Sequence, residues 1–337
     1  MELTHSTHRQ TTDEHTDGVH DVVVIGGGAA GLNAALTLGR ARRTVLLVDA
    51  GQQRNAPAYS MHNYLGHEGI APADFLALAR REAARFGTRI VQASVVAAKR
   101  AAEGNFEVVL DNDTVVRARR LLVTTGLVDE LPDVPGLAER WAREVLHCPY
   151  CHGWEVRDEA IGVLATGPVG VEQALLWSQW SGDITLLTHT GPPLDDAARA
   201  RLAARNVRIV EGRVDHLDVH EDRLRGVVLA DGPRREVGLT RLVVAPRFTA
   251  RVDGLADLDV ETAELWLFGQ LAGSHVVTDG QGATSTPGVY AAGNVTSLTE
   301  TAIGSAAAGL KAAAALNLDL ITEDTRRAIT AATPPGV

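Results

Sequence analysis

The hydrophobic pattern opens on a short, wholly apolar run. Residues 21–25 read DVVVI, β-branched and without polar alternation, the pattern of a parallel strand covered on both faces. Gly26-Gly27-Gly28-Ala29-Ala30-Gly31 follows, and LNAALTLGRA then repeats its apolar positions at helical spacing. A second apolar run, Thr44–Val48, ends in Asp49. Strand, glycine turn, helix, strand and acid together predict a βαβ dinucleotide-binding unit. Gly26 permits the tight turn, Gly28 lets a pyrophosphate approach the backbone, and Gly31 lets helix lie close on strand. The helix start at Ala29 and Ala30 offers unpaired N–H groups to phosphate. Asp49 stands where an acid accepts a ribose hydroxyl.

Further along, FEVVL (106–110), an Asn112-Asp113 turn and residues 115–123 predict a hairpin running into a strand that ends at Thr124-Thr125-Gly126. The turn-rich LPDVPG at 131–136 marks a domain boundary. A second βαβ pattern begins at Ala160: strand IGVLA, turn Thr166-Gly167-Pro168-Val169-Gly170, helix VEQALLWSQW, strand ITLLT. Strand-like segments continue through VRIVEG, RLRGVVLA and TRLVVA to about Ala245. Near the C-terminus TPGVYAAGN (286–294) precedes an Ala-rich helical segment at about 301–318. Its small residues suit close packing under a cofactor or an ordinary core helix. The expected fold class is α/β with two Rossmann-like dinucleotide-binding domains.

The bulk numbers agree with this. A chain of 337 residues has room for two such domains, and 45% hydrophobic with 22% charged residues suits a soluble core. The net charge of −10 argues against nucleic acid and anionic membrane surfaces as partners. No apolar run approaches the ~20 residues of a membrane span. Residues 1–20 stay polar, lack the apolar centre of a leader peptide, and are expected to form a disordered tail on a cytoplasmic protein. The tail histidines His5, His8, His15 and His20 are read as solvated, because no acidic or thiol ligands repeat with metal-site spacing.

The chain has two cysteines, Cys148 and Cys151. In a reducing compartment this spacing means a redox pair or half of a metal site. Zinc would need His147, Cys148, Cys151 and His152 together, yet adjacent residues seldom both face one tetrahedral ion, so no metal is expected. A C-x-x-C pair forms an easily reduced disulfide. His152 titrates near neutrality and can take a proton from an incoming thiol; the alternative is that it packs or faces solvent. His147 is a second, weaker candidate for that role, and Trp154 is a pocket wall or a core residue.

In these motifs the chain resembles the thioredoxin-reductase-like flavoproteins. The landmarks are Gly26–Gly31, Thr124-Thr125-Gly126, Cys-Pro-Tyr-Cys at 148–151, the second βαβ at 160–188 and TSTPGVYAAGN at 284–294. The resemblance implies an FAD cofactor and a discontinuous FAD domain, residues 21–130 and 247–337, with 131–246 inserted and carrying the cysteine pair. It assigns FAD contacts to the glycine turn, Asp49, Val95, Thr125, Gly126, Gly293, Asn294, Thr301 and Ala302. Asn294 stands where the family carries Asp. Cys151 becomes the flavin-proximal thiol, Cys148 the exchanging one, and the protein a homodimer.

Within that family, Cys-Pro-Tyr-Cys-His-Gly-Trp is most similar to the small-molecule dithiol oxidases, which close the disulfides of gliotoxin, holomycin and romidepsin. Arg54, Asn55 and His62 fit the first-domain pattern of that branch and are counted as FAD-binding. The second glycine turn departs from a working NADPH site. Ala165 replaces its first glycine, Pro168 removes an N–H, and Thr188-His189-Thr190 lacks the arginines that clamp a 2′-phosphate, unless another loop supplies the charge. The expected function is therefore an FAD-dependent oxidase, passing electrons from a small dithiol such as reduced holomycin to O2. The alternatives are a disulfide reductase fed by NADPH or another donor, and a non-enzymatic flavin-binding redox sensor.

Overall fold

The structure is a computed structural model that describes residues 18–101, 104–230 and 235–332. The first lobe begins β1 (Val19–Ile25), α1 (Ala29–Arg40), β2 (Val45–Asp49), α2 (Pro72–Arg85), β3 (Arg89–Gln92), β4 (Val95–Arg100), β5 (Phe106–Leu110) and β6 (Val115–Val123). The sheet order is β3-β2-β1-β6-β5-β4, with β1 parallel to both β2 and β6. His20 lies inside β1, paired with Ala118, so the strand starts ahead of the apolar run. Polar residues can end a strand when its backbone is paired, and hydrophobicity alone does not report that pairing. His5, His8 and His15 lie outside the described residues.

The chain then crosses over on β7 (Leu127–Glu130) and enters a second lobe: β8 (Val145–Leu146), α3 (Pro149–His152), β9 (Ile161–Leu164), α4 (Val169–Trp177), β10 (Ile184–Leu187), α5 (Asp196–Ala204), β11 (Arg208–Val210), β12 (Val214–His220), β13 (Arg223–Leu229), β14 (Arg235–Gly238) and β15 (Arg241–Val243). Its parallel sheet runs β11-β10-β9-β15-β8, and β12-β13-β14 form an antiparallel meander. The return strand β16 (Arg247–Ala250) pairs antiparallel with β7, so the chain leaves and re-enters side by side. β17 (Thr262–Leu267) and β18 (Gln270–Val276) extend this small sheet, β19 (Val289–Ala291) pairs in parallel with β6, and α6 (Ala302–Ala332) closes the fold.

The all-apolar β1 divides two cores. Val22 and Val24 face α1 and α6, while Val23 and Ile25 face Phe106, Val108, Leu121 and the 250–276 region. Both faces are covered, which is why the run shows no alternation. The small residues of α6 serve its contact with α1: Asn33 Nδ2 donates to the Ala306 carbonyl at 2.7 Å, and a Cβ on Gly309 would come within 2.1 Å of the Ala30 carbonyl oxygen. The helix also runs well past residue 318, to Ala332. Charge holds that extension. Arg43 bonds Asp324 at 2.8 Å, Arg120 bonds Asp319 at 2.6 Å and Glu323 at 2.8 Å, and Arg119 bridges Asp324 to Asp21. An apolar periodicity cannot register a helix turn docked through ion pairs.

Gly309→Val should force α6 off α1. The expected result is an intact but destabilised fold, with a loss of about 1–3 kcal/mol typical of overpacking, read as a lower Tm and chemical-denaturation midpoint.

Candidate active site

Three glycines of the first turn have three different physical reasons. Gly26 has φ +115° and its Cβ would lie 2.3 Å from the Thr124 carbonyl oxygen. Gly31 allows α1 to close on the turn, since its Cβ would lie 1.9 Å from the Gly26 oxygen. Gly28 is different. Its φ of −80° and ψ of −174° suit any residue, and a Cβ there would meet no protein atom within 4 Å. Neither strain nor packing requires glycine at this helix start; an approaching ligand does. The first turn of α1, where Ala29 and Ala30 stand, carries no acid that would compete for its N–H groups.

Asp49 ends β2 and is 6% exposed. Gly51 N–H donates to it at 2.9 Å and Arg80 Nη2 at 2.6 Å, which fixes the carboxylate beside the turn. Gly27 makes room for it, because a Cβ there would lie 2.3 Å from Asp49 Cγ. At the far end of the chain, Gly293 (φ +83°) rests against Ala30. Asn294 Nδ2 donates to the carbonyls of Ser297 at 3.1 Å and Glu300 at 2.9 Å. An aspartate has no hydrogen to give two carbonyls, so this loop explains the amide at a position where the family carries an acid. Thr301 precedes α6 and its hydroxyl accepts from Gly304 N–H at 3.4 Å; Ala302 is the first helical residue. Thr125 donates to the Arg251 carbonyl and Gly126 turns with φ +75°, while Val95 opens β4 opposite Leu110.

Arg54 and His62 have protein partners beyond the first turn. The Arg54 guanidinium makes a two-pronged contact with Asp129 on β7, at 2.8 and 2.7 Å, and stacks over Phe248 on β16. It clamps the crossover strands. Asn55 lies half-buried in the same loop, its carbonyl accepting from Ala58 N–H at 3.0 Å. His62 bridges its own loop to the segment after the redox turn: Nδ1 meets Glu68 at 2.7 Å and Nε2 lies 3.4 Å from Glu155.

Cys148 and Cys151 are disulfide-bonded, with Cα atoms 5.3 Å apart. Cys148 caps the single turn α3, and the N–H groups of Cys151 and His152 both reach its carbonyl at 3.2 Å. Pro149 opens the turn, where its missing N–H costs nothing. Gly153 lets the Trp180 ring lie against it, and Tyr150 meets the same ring edge-on at 5.5 Å. Beside them a groove of about 560 Å³ runs between Tyr150, Leu175, Leu176, Gln179, Trp180 and Arg205. Trp154 is 67% exposed and carries Arg157 stacked on its face, so it is not a core residue.

The two flanking histidines differ. His147 donates from Nδ1 to the Val244 carbonyl at 3.0 Å and packs edge-on against Phe248. Burial holds its pKa below the ordinary imidazole value, opposed by the Val244 bond. His152 is also held low, first by burial and then by His62, with Glu155 opposing. Both are therefore neutral near pH 7, and a neutral imidazole can accept a proton. Among the described residues no group of three or more His, Cys, Asp or Glu is placed to hold a metal ion.

The second glycine turn has a different fate from the first. Gly170 still lets α4 close on Ala165, but a Cβ on Gly167 would fall 2.1 Å from Gln270 Oε1. Gln270 opens β18, just after a hairpin turn in which Phe268 and Gly269 take φ of 51° and 79°. Its Oε1 is buried without a hydrogen-bond partner. At the end of β10, Gly191 N–H bonds the Thr188 carbonyl at 2.8 Å and folds that segment over Ala165. His189 is left accepting from Val214 N–H, within the field of Arg213.

A family model of the pyridine nucleotide-disulphide oxidoreductases matches residues 20–317, and the chain belongs to that family. Thioredoxin reductase tcpT of Claviceps purpurea (strain 20.1) is 39% identical over 158 residues, 46% of this chain and 49% of its own. The match thus spans about half the length of that relative. Thioredoxin reductase aclD of Aspergillus oryzae (strain ATCC 42149 / RIB 40) is 31% identical over 284 residues, covering 81% of this chain and 88% of its own. The crystal structure of HlmI superposes with a TM-score of 0.86 at 44% identity, covering 94% of this chain and 97% of that one. The thioredoxin-reductase-like α/β fold follows from these likenesses, and with it FAD as cofactor. The open space at Gly28, the acid-free helix start and the braced Asp49 fit that dinucleotide.

Asn63, Glu155 and Gln270 carried no motif signal, since each is defined by what it meets across the two lobes, and Glu68 carried none because its role is to brace the His62–Asn63 loop. Gly28→Val separates ligand from fold: purified protein should keep the wild-type apoprotein Tm while its bound-flavin absorbance falls sharply. An equal loss of Tm in the apoprotein would mean that Gly28 serves the fold.

Proposed function

We propose that the protein is an FAD-dependent dithiol oxidase that closes an intramolecular disulfide in a small-molecule dithiol, with O2 as final acceptor. The observation that supports it most is the contrast between the two nucleotide turns. The first is open at Gly28; the second is filled by Gln270, while the chain keeps an intact redox pair. A disulfide with no dinucleotide feeding it takes its electrons from substrate.

The residues suit that direction. One substrate thiol gives its proton to neutral His152 and attacks Cys148 Sγ. The Cys148–Cys151 bond breaks and Cys151 departs as thiolate. The second substrate thiol attacks the substrate sulfur of the mixed disulfide and its proton passes to the departing Cys148 thiolate, which releases Cys148 and the cyclic product. Substrate loses two electrons and the cysteine pair gains them. FAD, which Gly28, the start of α1 and Asp49 would hold at the first turn, would supply a two-electron acceptor for the reduced cysteine pair, with O2 as the final oxidant and H2O2 as its product. The Tyr150–Trp180 groove beside the turn suits a compact, partly apolar substrate of the reduced dithiolopyrrolone kind. On the family resemblance, the enzyme works as a cytoplasmic homodimer.

One observation favours a reductase instead. Arg213, in the loop after β11, acts electrostatically on His189 at the place where a 2′-phosphate clamp would stand. Oxygen uptake decides between them. With dithiothreitol or a cyclisable small dithiol, the wild type should consume O2 and form H2O2 in equal amounts, and Cys148→Ser should fall to the uncatalysed background. Absence of dithiol-dependent uptake, with turnover on NADPH and a disulfide, would establish the reductase.

A further inference from the structure

The redox turn is a single turn of helix, so the carbonyls at its end find no partner within the helix. The Cys148 carbonyl accepts from Cys151 and His152 N–H, and the Pro149 carbonyl from Gly153 N–H at 2.7 Å. The Tyr150 carbonyl, next in line and between the two cysteines in the chain, is met from the other lobe: the Asn63 side-chain amide donates to it. That donor is firmly seated. Its loop joins β2 to α2, and Met61 is buried in the core that α1 and α2 share. Met61 N–H donates to the Ile70 carbonyl at 2.8 Å, and Gly69 N–H returns to the Met61 carbonyl at 2.9 Å. Tyr64 packs on Phe75 with ring centres 4.8 Å apart, and Glu68 accepts from Asn63 N–H at 2.8 Å. Asn63 itself sits at φ 59°, a left-handed conformation that asparagine tolerates. The two ends of the redox turn are thus held by different lobes. Cys148 follows β8, which pairs with β15, and its neighbour His147 bonds the Val244 carbonyl at 3.0 Å, all within the second lobe. Cys151 directly follows Tyr150, on the end that Asn63 fastens to the first.

We propose that Asn63 is a positioning residue for the cysteine pair: through the Tyr150 carbonyl it fastens the Cys151 end of the turn to the lobe whose glycine turn and Asp49 fit FAD. The inference rests on the reading of Cys148 as the exchanging thiol and Cys151 as the flavin-proximal one. Exchange of a substrate thiol at Cys148 then proceeds without Asn63, because the second lobe holds that end by itself. The step that depends on Asn63 is the next one. It re-forms the Cys148–Cys151 bond, with two electrons and one proton passing to FAD and the second proton to solvent. The Asn63 bond is open to water, and water can take the donor's place at little cost to the fold. What is lost is position, and a misplacement of about 1 Å can slow a reaction about 100-fold.

The test follows both halves of the reaction in the full-length holoenzyme. Protein is mixed anaerobically with excess dithiothreitol. Alkylation and mass spectrometry count the cysteine thiols released, and absorbance follows the flavin. Asn63→Gly keeps the left-handed backbone and removes the donor; Asn63→Asp keeps the shape and offers only acceptors. In both variants thiol release should keep its wild-type rate while flavin bleaching falls roughly 10- to 100-fold, so that the reduced pair accumulates. Hydrogen exchange of the oxidised enzyme should quicken at residues 151–153 and stay unchanged in β9. An unchanged bleaching rate in either variant, or unchanged exchange at the turn, overturns the proposal. So does an equal slowing of thiol release and bleaching, which would make Asn63 a brace for the whole turn. The two readings fail separately. If dithiothreitol releases the thiols but never bleaches the wild-type flavin, the dithiol-oxidase reading falls and electrons run from flavin to disulfide. After anaerobic photoreduction the flavin should then reoxidise against the disulfide roughly 10- to 100-fold more slowly in Asn63→Gly than in wild type, and equal rates overturn the positioning role.

Discussion

The cysteine pair is carried by one turn of helix, Pro149–His152, with Cys148 as its cap, and a turn that short does not hold its own shape in water. Everything the site does depends on what braces it from outside. The second lobe supplies Trp180 against Gly153 and the Val244 carbonyl for His147. The first lobe supplies Asn63 on the Tyr150 carbonyl and His62 on Glu155. The crossover strands add Phe248 against His147, with Arg54 and Asp129 locked over it. The disulfide is thus a property of the junction between lobes more than of either lobe.

That junction also explains how one architecture, used twice in a chain, serves two ends. Each lobe presents a glycine turn between a parallel strand and a helix. In the first, the space at Gly28 is left open and the nearby acid is tied down by Arg80. In the second, the β17–β18 hairpin brings Gln270 onto Gly167, and the segment after β10 folds over Ala165. A side chain that leaves a buried oxygen unpaired to lie there is a costly filler. The lobe keeps its core role, because Gly170 and the all-apolar β9 pack as a dinucleotide fold packs.

Local patterns in the sequence revealed the pieces whose causes are local. The apolar β1, the turn at Gly26–Gly31, the acid after β2 and the C-x-x-C pair each follow from neighbours in the chain. Paired backbone and long-range charge were invisible: His20 belongs to β1, and α6 continues to Ala332 on ion pairs from Arg43, Arg119 and Arg120. Arg54 and His62 were legible as motif members, but their partners Asp129 and Glu155 were not, because these come from the crossover strand and the second lobe. Gln270 had no signal at all, since a glutamine at the start of a strand becomes informative only when Gly167 is found beneath it.

The central claim concerns the direction of electron flow through Cys148 and Cys151. Anaerobic stopped-flow spectroscopy of the flavin reads it directly. Mixing with excess dithiothreitol should bleach the oxidised flavin band in wild type and leave it unchanged in Cys148→Ser, while NADPH at the same excess leaves the wild-type band intact. Rapid bleaching by NADPH, with none by the dithiol, would contradict the account.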